Sequence, residues 1–303
     1  MEVPLKKPLL VLSILLATLF LFFFSLAAGQ KDETIEKTFP VDGSRPVSLE
    51  FKDVDGDLWF SVTEENLVRV KVKKEVDVRN DRKAAELLEE TKVVLTQNGN
   101  SVRVEIKYPK IRGILFWFRE TRRVRVSTEI LVPANSNLNC TVVDGSITGE
   151  KVRGELAIQS VDGSIRLSDI QGTIRTNSTD GRIILKNIDG RVEAESTDGD
   201  IQISGRINGL RVESVDGDVN VEIAPQAAMD TAWMIETVDG DVTLSLPGDF
   251  SADFLLQTND GHIDCAVPTA LSNVVTERKM AGKINQGGKL LTIRTGDGGI
   301  WVR

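Results

Sequence analysis

The chain has 303 residues, 41% of them hydrophobic, with a net charge of −8, one histidine and two cysteines. That length and apolar content suffice for one long domain or two ordinary ones. The acid is concentrated: from Ser136 to Pro268 there are 23 Asp and Glu against 9 Lys and Arg, while residues 31–135 hold 19 and 20, a distribution that argues against nucleic acid as a partner.

At the start of the chain Lys6 and Lys7 precede an apolar run from Leu9 to Ala28, broken only by Ser13, Thr18 and Ser25. This reads as an export signal. The small residues of Ser25-Leu26-Ala27-Ala28-Gly29 suit a signal peptidase, and about 20 apolar residues also span a bilayer, so residues 1–29 are either a cleaved signal peptide or a membrane anchor formed by residues 8–28. No cysteine follows the run, which excludes a lipoprotein. The expected location is the cell envelope, in the periplasm or at the cell surface.

Residues 30–135 read as a β-rich lead-in, with alternations such as Val68-Arg69-Val70-Lys71-Val72 and Ser101-Val102-Arg103-Val104-Glu105-Ile106. One short helix, Asp81 to Glu90 behind Asn80 as its cap, interrupts it.

From residue 136 to 303 the chain repeats. Asp-Gly pairs begin at Asp144, Asp162, Asp180, Asp198 and Asp216, each 18 residues after the last, then at Asp239 and Asp260. Apolar residues fall at the second and fourth places after the glycine: Ile165 and Leu167, Ile183 and Leu185, Ile201 and Ile203. Gly154, Gly172 and Gly190 mark the midpoint of each unit, and Gly209 keeps that place with a one-residue slip. Each 18-residue unit is thus two short strands.

An antiparallel meander with Asp-Gly hairpins satisfies this pattern, as does a solenoid in which each unit is one rung. The hydroxyl two residues before each Asp favours the solenoid, because Ser160, Ser178, Ser196, Ser214, Thr237 and Thr258 then stack at one corner, each within reach of neighbouring backbone. Arg175, Glu193 and Arg211 likewise alternate in sign as adjacent rungs should. The expected fold is therefore all-β: a single-stranded, β-helix-like solenoid of roughly 18-residue, two-strand rungs.

The turn glycines Gly145, Gly163, Gly181, Gly199, Gly217, Gly240 and Gly261 are expected at positive φ, since a two-residue corner needs it. Asp53-Val54-Asp55-Gly56-Asp57-Leu58-Trp59-Phe60 repeats the same turn, which extends the coil into the lead-in. Thr295 to Val302 reads as the last rung, with Trp301 capping the core. Cys140 and Cys265, about six rungs or roughly 29 Å apart, are expected to be separate thiols.

An N-terminal apolar segment, a lead-in ending in Val124-Arg125-Val126-Ser127-Thr128-Glu129-Ile130-Leu131-Val132-Pro133, and then repeated "VDGDV" units resemble the putative-adhesin or "toastrack" family of bacterial envelope proteins. The likeness covers roughly residues 35 to 303. It implies an all-β solenoid at the envelope, near membrane-stress regulatory systems, with adhesion or ligand sensing as its role and no catalytic residues to carry over.

Two candidate surfaces emerge. Asp198 and Asp200, Asp216 and Asp218, and Asp239 and Asp241 place six carboxylates on consecutive corners, where calcium or a cationic partner would offset roughly 1 kcal/mol of repulsion per neighbouring pair. The plainer alternative gives the first Asp of each pair to its own turn's N–H groups and leaves the second solvated. The GGxGxD signature of calcium β-rolls is absent, so no cofactor is expected. The second surface is Arg112, Phe116, Trp117, Phe118 and Arg119, a set suited to a membrane interface or, alternatively, to covering an open end of the coil.

His262, in a solvent-facing column, carries no catalytic expectation. Carboxylates repeated in equivalent places give none the special environment that glycoside hydrolysis needs. The chain reads as a non-catalytic envelope protein that binds a protein, peptide or glycan partner, or alternatively as a sensing ectodomain for a cationic ligand. A glycan-active enzyme is the least favoured alternative.

Overall fold

The computed structural model describes residues 31–109 and 124–303, with backbone alone for 271–275; the apolar segment of residues 1–29 and the arginine-framed aromatic segment lie outside these. Among the described residues the protein is all-β with a single helix, Asp81–Glu90.

The 18-residue period appears as pairing register. Gln171–Ser178 lies parallel between Arg153–Ser160 and the second half of Ile183–Ser196, so that Ile174 faces Leu156 on one side and Val192 on the other. The short strand after each Asp-Gly does the same: Ile165 of Ile165–Ser168 faces Ile147 and Ile183. A meander would have made these pairs antiparallel, so within the repeat it is ruled out. Where the sequence slips by one residue, Gly190 faces Ile207 and Arg191 faces Gly209, so Asn208 is the extra residue. Inward side chains stack into continuous columns. From Ile147 through Ile165, Ile183 and Ile201 to Val219 and Val242, none is more than 1% exposed. Each such burial contributes about 1.5–3 kcal/mol.

The turn glycines are required for a different reason from the one expected. Gly145 alone among them has positive φ, at 156°; the left-handed residues lie at the opposite corner, at Lys151 (64°), Asp169 (56°) and Asn187 (56°). The Asp-Gly corner is an open bend rather than a two-residue reversal, so it needs no left-handed residue. What excludes a side chain is the rung below. A Cβ on Gly181 would sit 2.0 Å from the Gly163 carbonyl oxygen, one on Gly199 2.2 Å from that of Gly181, and one on Gly240 2.4 Å from that of Gly217.

The lead-in joins the same ladder. Val47–Thr63 pairs in parallel with Ser136–Asp144 and Ile147–Glu150, putting Asp55 beside Asp144 and Leu58 beside Ile147. On its other side lie Ser101–Lys107 and Val124–Pro133, also parallel. Beyond them the pairing turns antiparallel: Lys92–Asn98 covers one, and Leu67–Val76 followed by Asp32–Pro40 covers the other. The helix is capped by Asn80, whose side chain accepts from the Lys83 N–H at 3.1 Å. Ala84, Leu87 and Leu88 are its buried face. Its last turn is held by buried Lys74, whose Nζ donates to the carbonyls of Leu88 (2.7 Å) and Thr91 (3.0 Å) and pairs with Glu33 at 2.6 Å, a cation where the helix dipole favours one.

The C-terminal rung corrects the sequence reading. Leu290–Asp297 and Ile300–Val302 are inserted between Trp233–Asp239 with Val242–Ser245 on one side and Ala252–Thr258 with Ile263–Cys265 on the other. Trp301 faces Thr243 and Asp264 across these ladders and is half-buried, so it caps nothing. The connection after Ser245, carrying Phe250 against Trp233 at 5.2 Å between ring centroids, takes the chain past one rung's width. The far end is covered by Lys279–Ile284 antiparallel to Ala252–Thr258, with Thr269–Thr276 beyond. Cys140 and Cys265 are free thiols, as expected, with burial pushing Cys140 up to about 12.

Gly181→Ala is expected to lose about 2–3 kcal/mol through forced separation of two rungs, whereas Gly248→Ala, with open space around its Cα, should change stability by less than about 0.5 kcal/mol. Urea unfolding of both variants checks the difference, and equal losses would refute the stacking explanation.

Candidate functional site

The repeated chemistry of the corner begins with its hydroxyls, which are buried. Ser160, Ser178 and Ser196 each accept the N–H of the glycine three residues on, at 3.1, 3.1 and 3.0 Å. Towards the far end the threonines donate across rungs instead, Thr295 to the Gly240 carbonyl at 3.0 Å and Thr258 to that of Gly298 at 2.9 Å. Ser214 departs from both patterns. The Gly217 N–H turns to the Asp239 carbonyl, and the Ser214 Oγ has no partner.

With the hydroxyl serving its own turn, the aspartates take other parts. The second Asp of each pair joins rung to rung: Asp200 Oδ1 accepts the Asp218 N–H at 3.4 Å, Asp218 that of Asp241 at 3.0 Å, and Asp241 that of Gly299 at 2.8 Å. Asp57 does so for Ser146 at 2.9 Å. Asp200 also pairs with Arg182 at 3.0 Å. The turn-holding part that the plainer reading gave to the first aspartates falls to the hydroxyls; Asp198, Asp216 and Asp239 are exposed, and so are Asp218 and Asp241, while Asp200 is half-buried. Among the described residues no three His, Cys, Asp or Glu side chains converge as a metal site. His262 is exposed, and its carbonyl accepts the Ile300 N–H at 2.9 Å.

The same alternation builds a feature that the sequence reading missed. Residues on either side of an inward hydroxyl both point outward, and stacked rungs turn them into two walls. The result is a groove of about 660 Å³ with Ser178, Ser196, Ser214, Thr237 and Thr295 along its floor. One wall carries Asn177, Glu195, Glu213, Glu236, Arg294 and Gln257; the opposite lip carries Thr197, Val215, Val238, Gly296 and Asn259. Six rungs contribute, so it runs roughly 24 Å at ~4.8 Å per rung.

Val215 is 43% and Val238 54% exposed, and with Val143 and Val161 they supply four of the six exposed large hydrophobic side chains among the described residues, all in one column. Single exposed valines are ordinary; an aligned row points to a contact surface. The signal was present in the sequence, where the residue before each Asp is always Val or Thr from Val143 to Val238. On the wall, Glu195 accepts from Asn177 Nδ2 at 3.0 Å, Glu236 pairs with Arg294 at 2.8 Å, and Glu213 pairs with Arg211 of its own strand.

In the lead-in rung the hydroxyl's place, opposite Val142, is taken by Asp53, which is 4% exposed. Its Oδ1 accepts from the Val54 N–H at 2.7 Å and from Tyr108 Oη at 2.9 Å, and its Oδ2 has no partner. Burial outweighs these bonds and pushes its pKa up to about 6.

A family model described as "Toastrack DUF4097" matches residues 63–303. Similar solved structures include a putative adhesin from Bacteroides fragilis, at 11% identity over 89% of this chain and 97% of that one with a TM-score of 0.47. Others are a putative cell adhesion protein from Clostridium sporogenes (16% identity, 90% and 99% covered, TM-score 0.28) and a putative lipid binding protein from Parabacteroides distasonis (11% identity, 91% and 98% covered, TM-score 0.37). None of the curated proteins matches the chain.

Because the Asp53 carboxyl holds its proton more tightly folded than unfolded, its contribution to stability falls as pH rises from about 4 through 6. Asp53→Asn should therefore gain on the native protein over that window, by up to roughly 3 kcal/mol at pH 7. Unfolding free energies measured from pH 4 to 7 test it, and a difference independent of pH would refute the assignment.

Proposed function

The chain belongs to the Toastrack family, and from that premise we propose that it is a non-catalytic protein of the cell envelope which presents a β-solenoid to a binding partner for adhesion. The path of each unit supports the solenoid reading: a long strand, the Asp-Gly bend, a short strand and the opposite corner, with successive units in parallel register. About eight such rungs make a body roughly 40 Å long. The apolar run of residues 8–28 supports export.

The observation that carries the binding role is the groove. A polar wall runs along all six rungs and a lip carries valine on two adjacent ones, so its chemistry extends along a line, as a partner with its own repeat or extended backbone requires. The carboxylates repeat in equivalent bonds to the next rung, which supports a structural use rather than an acid–base pair set apart by its environment. A second reading, a sensing ectodomain for a cationic ligand, draws on the acid along the same groove.

Protease added to spheroplasts should degrade the protein while a cytoplasmic marker survives; equal survival would overturn the export reading. The protein purified from the fraction in which it is found should retain at least one class from an immobilised panel of basic peptides, acidic peptides, neutral glycans and anionic vesicles. Val215→Gln with Val238→Gln, a change of polarity without charge, should weaken that retention about tenfold at an unchanged melting temperature. Retention by the variant equal to that of the native protein would remove the groove from the function.

A further inference from the structure

We infer that the groove's occupant is an extended basic polypeptide segment, an inference that rests on the groove being the binding surface. Its length decides the shape of the ligand: roughly 24 Å of groove accommodates about seven residues of extended chain at ~3.4 Å each, and its openness along one line suits a strand-like segment rather than a compact molecule. Its charge decides the sign. Glu195, Glu213 and Glu236 line one wall, and Asp198, Asp216 and Asp239 follow directly after the lip residues on the exposed corner. Against these stand Arg294, already paired with Glu236, and Arg211, paired with Glu213. Glu195 is met by the neutral Asn177 amide.

The lip decides what kind of cation. Val215 and Val238 offer apolar surface two residues along the strand from Glu213 and Glu236 of the wall, which matches side chains that carry an aliphatic stem beneath a charged head, lysine and arginine. A small inorganic cation would have no use for the valines. A polyanion would meet the glutamates, and a neutral glycan would find no aromatic ring among the lining residues on which to lay a sugar face. At mid-floor Ser214, 6% exposed and without a partner for its hydroxyl, is the one floor serine whose oxygen neither its own turn nor the next rung uses.

The test is fluorescence anisotropy of the full purified protein with labelled decalysine, with decaglutamate and a Gly/Ser decamer as controls. Decalysine alone should bind, losing about tenfold or more in affinity between roughly 50 and 500 mM salt, as exposed charges are screened. Glu195→Gln, Glu213→Gln and Glu236→Gln together should weaken it about tenfold, and so should the two valine substitutions, each set checked for an unchanged thermal melt. Decalysine held equally by the native protein and the glutamine variant would overturn the inference by placing the contact elsewhere. If decalysine fails to bind while another polymer is lost on valine substitution, the cationic occupant is wrong and the groove's binding role stands. If nothing binds, the cationic occupant is wrong, and the glycan and vesicle arms of the retention panel decide the groove's binding role.

Discussion

The structure depends on a steric condition at one corner: a glycine carbonyl oxygen in each rung occupies the space that a Cβ would need in the next, at about 2 Å from Gly163 to Gly181 and on through Gly199. That contact sets how closely the rungs approach, and close approach lets the strands of the regular units pair in parallel at eighteen-residue spacing. Once the corner is fixed, the remaining positions have assigned tasks. The hydroxyl three residues before the glycine satisfies its N–H, the aspartate after it satisfies the following rung's N–H, and the apolar residues beyond it fill the interior. A buried amide without a partner costs about 1–3 kcal/mol; the hydroxyl meets it at Gly163, Gly181 and Gly199, and the aspartate at Asp57, Asp200, Asp218 and Asp241.

The surface inherits the same repetition. Because an inward side chain has outward neighbours on both sides, a buried serine column implies two exposed columns, and their composition is free of the constraints that fix the floor. The chain fills one with glutamate and amide and the other with valine and threonine. Acid at the corner is partly consumed in joining rungs, as Asp200, Asp218 and Asp241 show. The charge on Asp198, Asp216 and Asp239 has no such structural outlet.

Much of this was legible in the sequence. The period, the two strands per unit, the parallel stacking argued from the hydroxyl column, the Asn80 helix cap and the membership of Asp53–Phe60 in the ladder all follow from local chemistry at fixed spacing. The reason for the turn glycine was not legible, because a left-handed backbone and a carbonyl in contact from another rung select the same residue. The groove escaped notice because valine before aspartate looks like one more strand residue until the fold shows that the column faces outward. The position of the final rung was hidden for a different reason: Thr295 to Val302 carries the turn signature, and nothing in a signature says which two strands it will lie between.

That position has a consequence for assembly. From Arg153 to Ser245 each rung adds to the one made just before it, and order can spread along the stack by short steps. Residues 252–265 have no such neighbour to add to, because the rung they rest on is formed by residues 290–302. Leu290–Asp297 therefore reaches Trp233–Asp239 only by closing a loop of more than forty residues between Ser245 and Leu290, a cost in chain entropy that the rungs from Arg153 to Ser245 do not meet. Folding that proceeds rung by rung along the body halts there, and its last two rungs form as one cooperative unit.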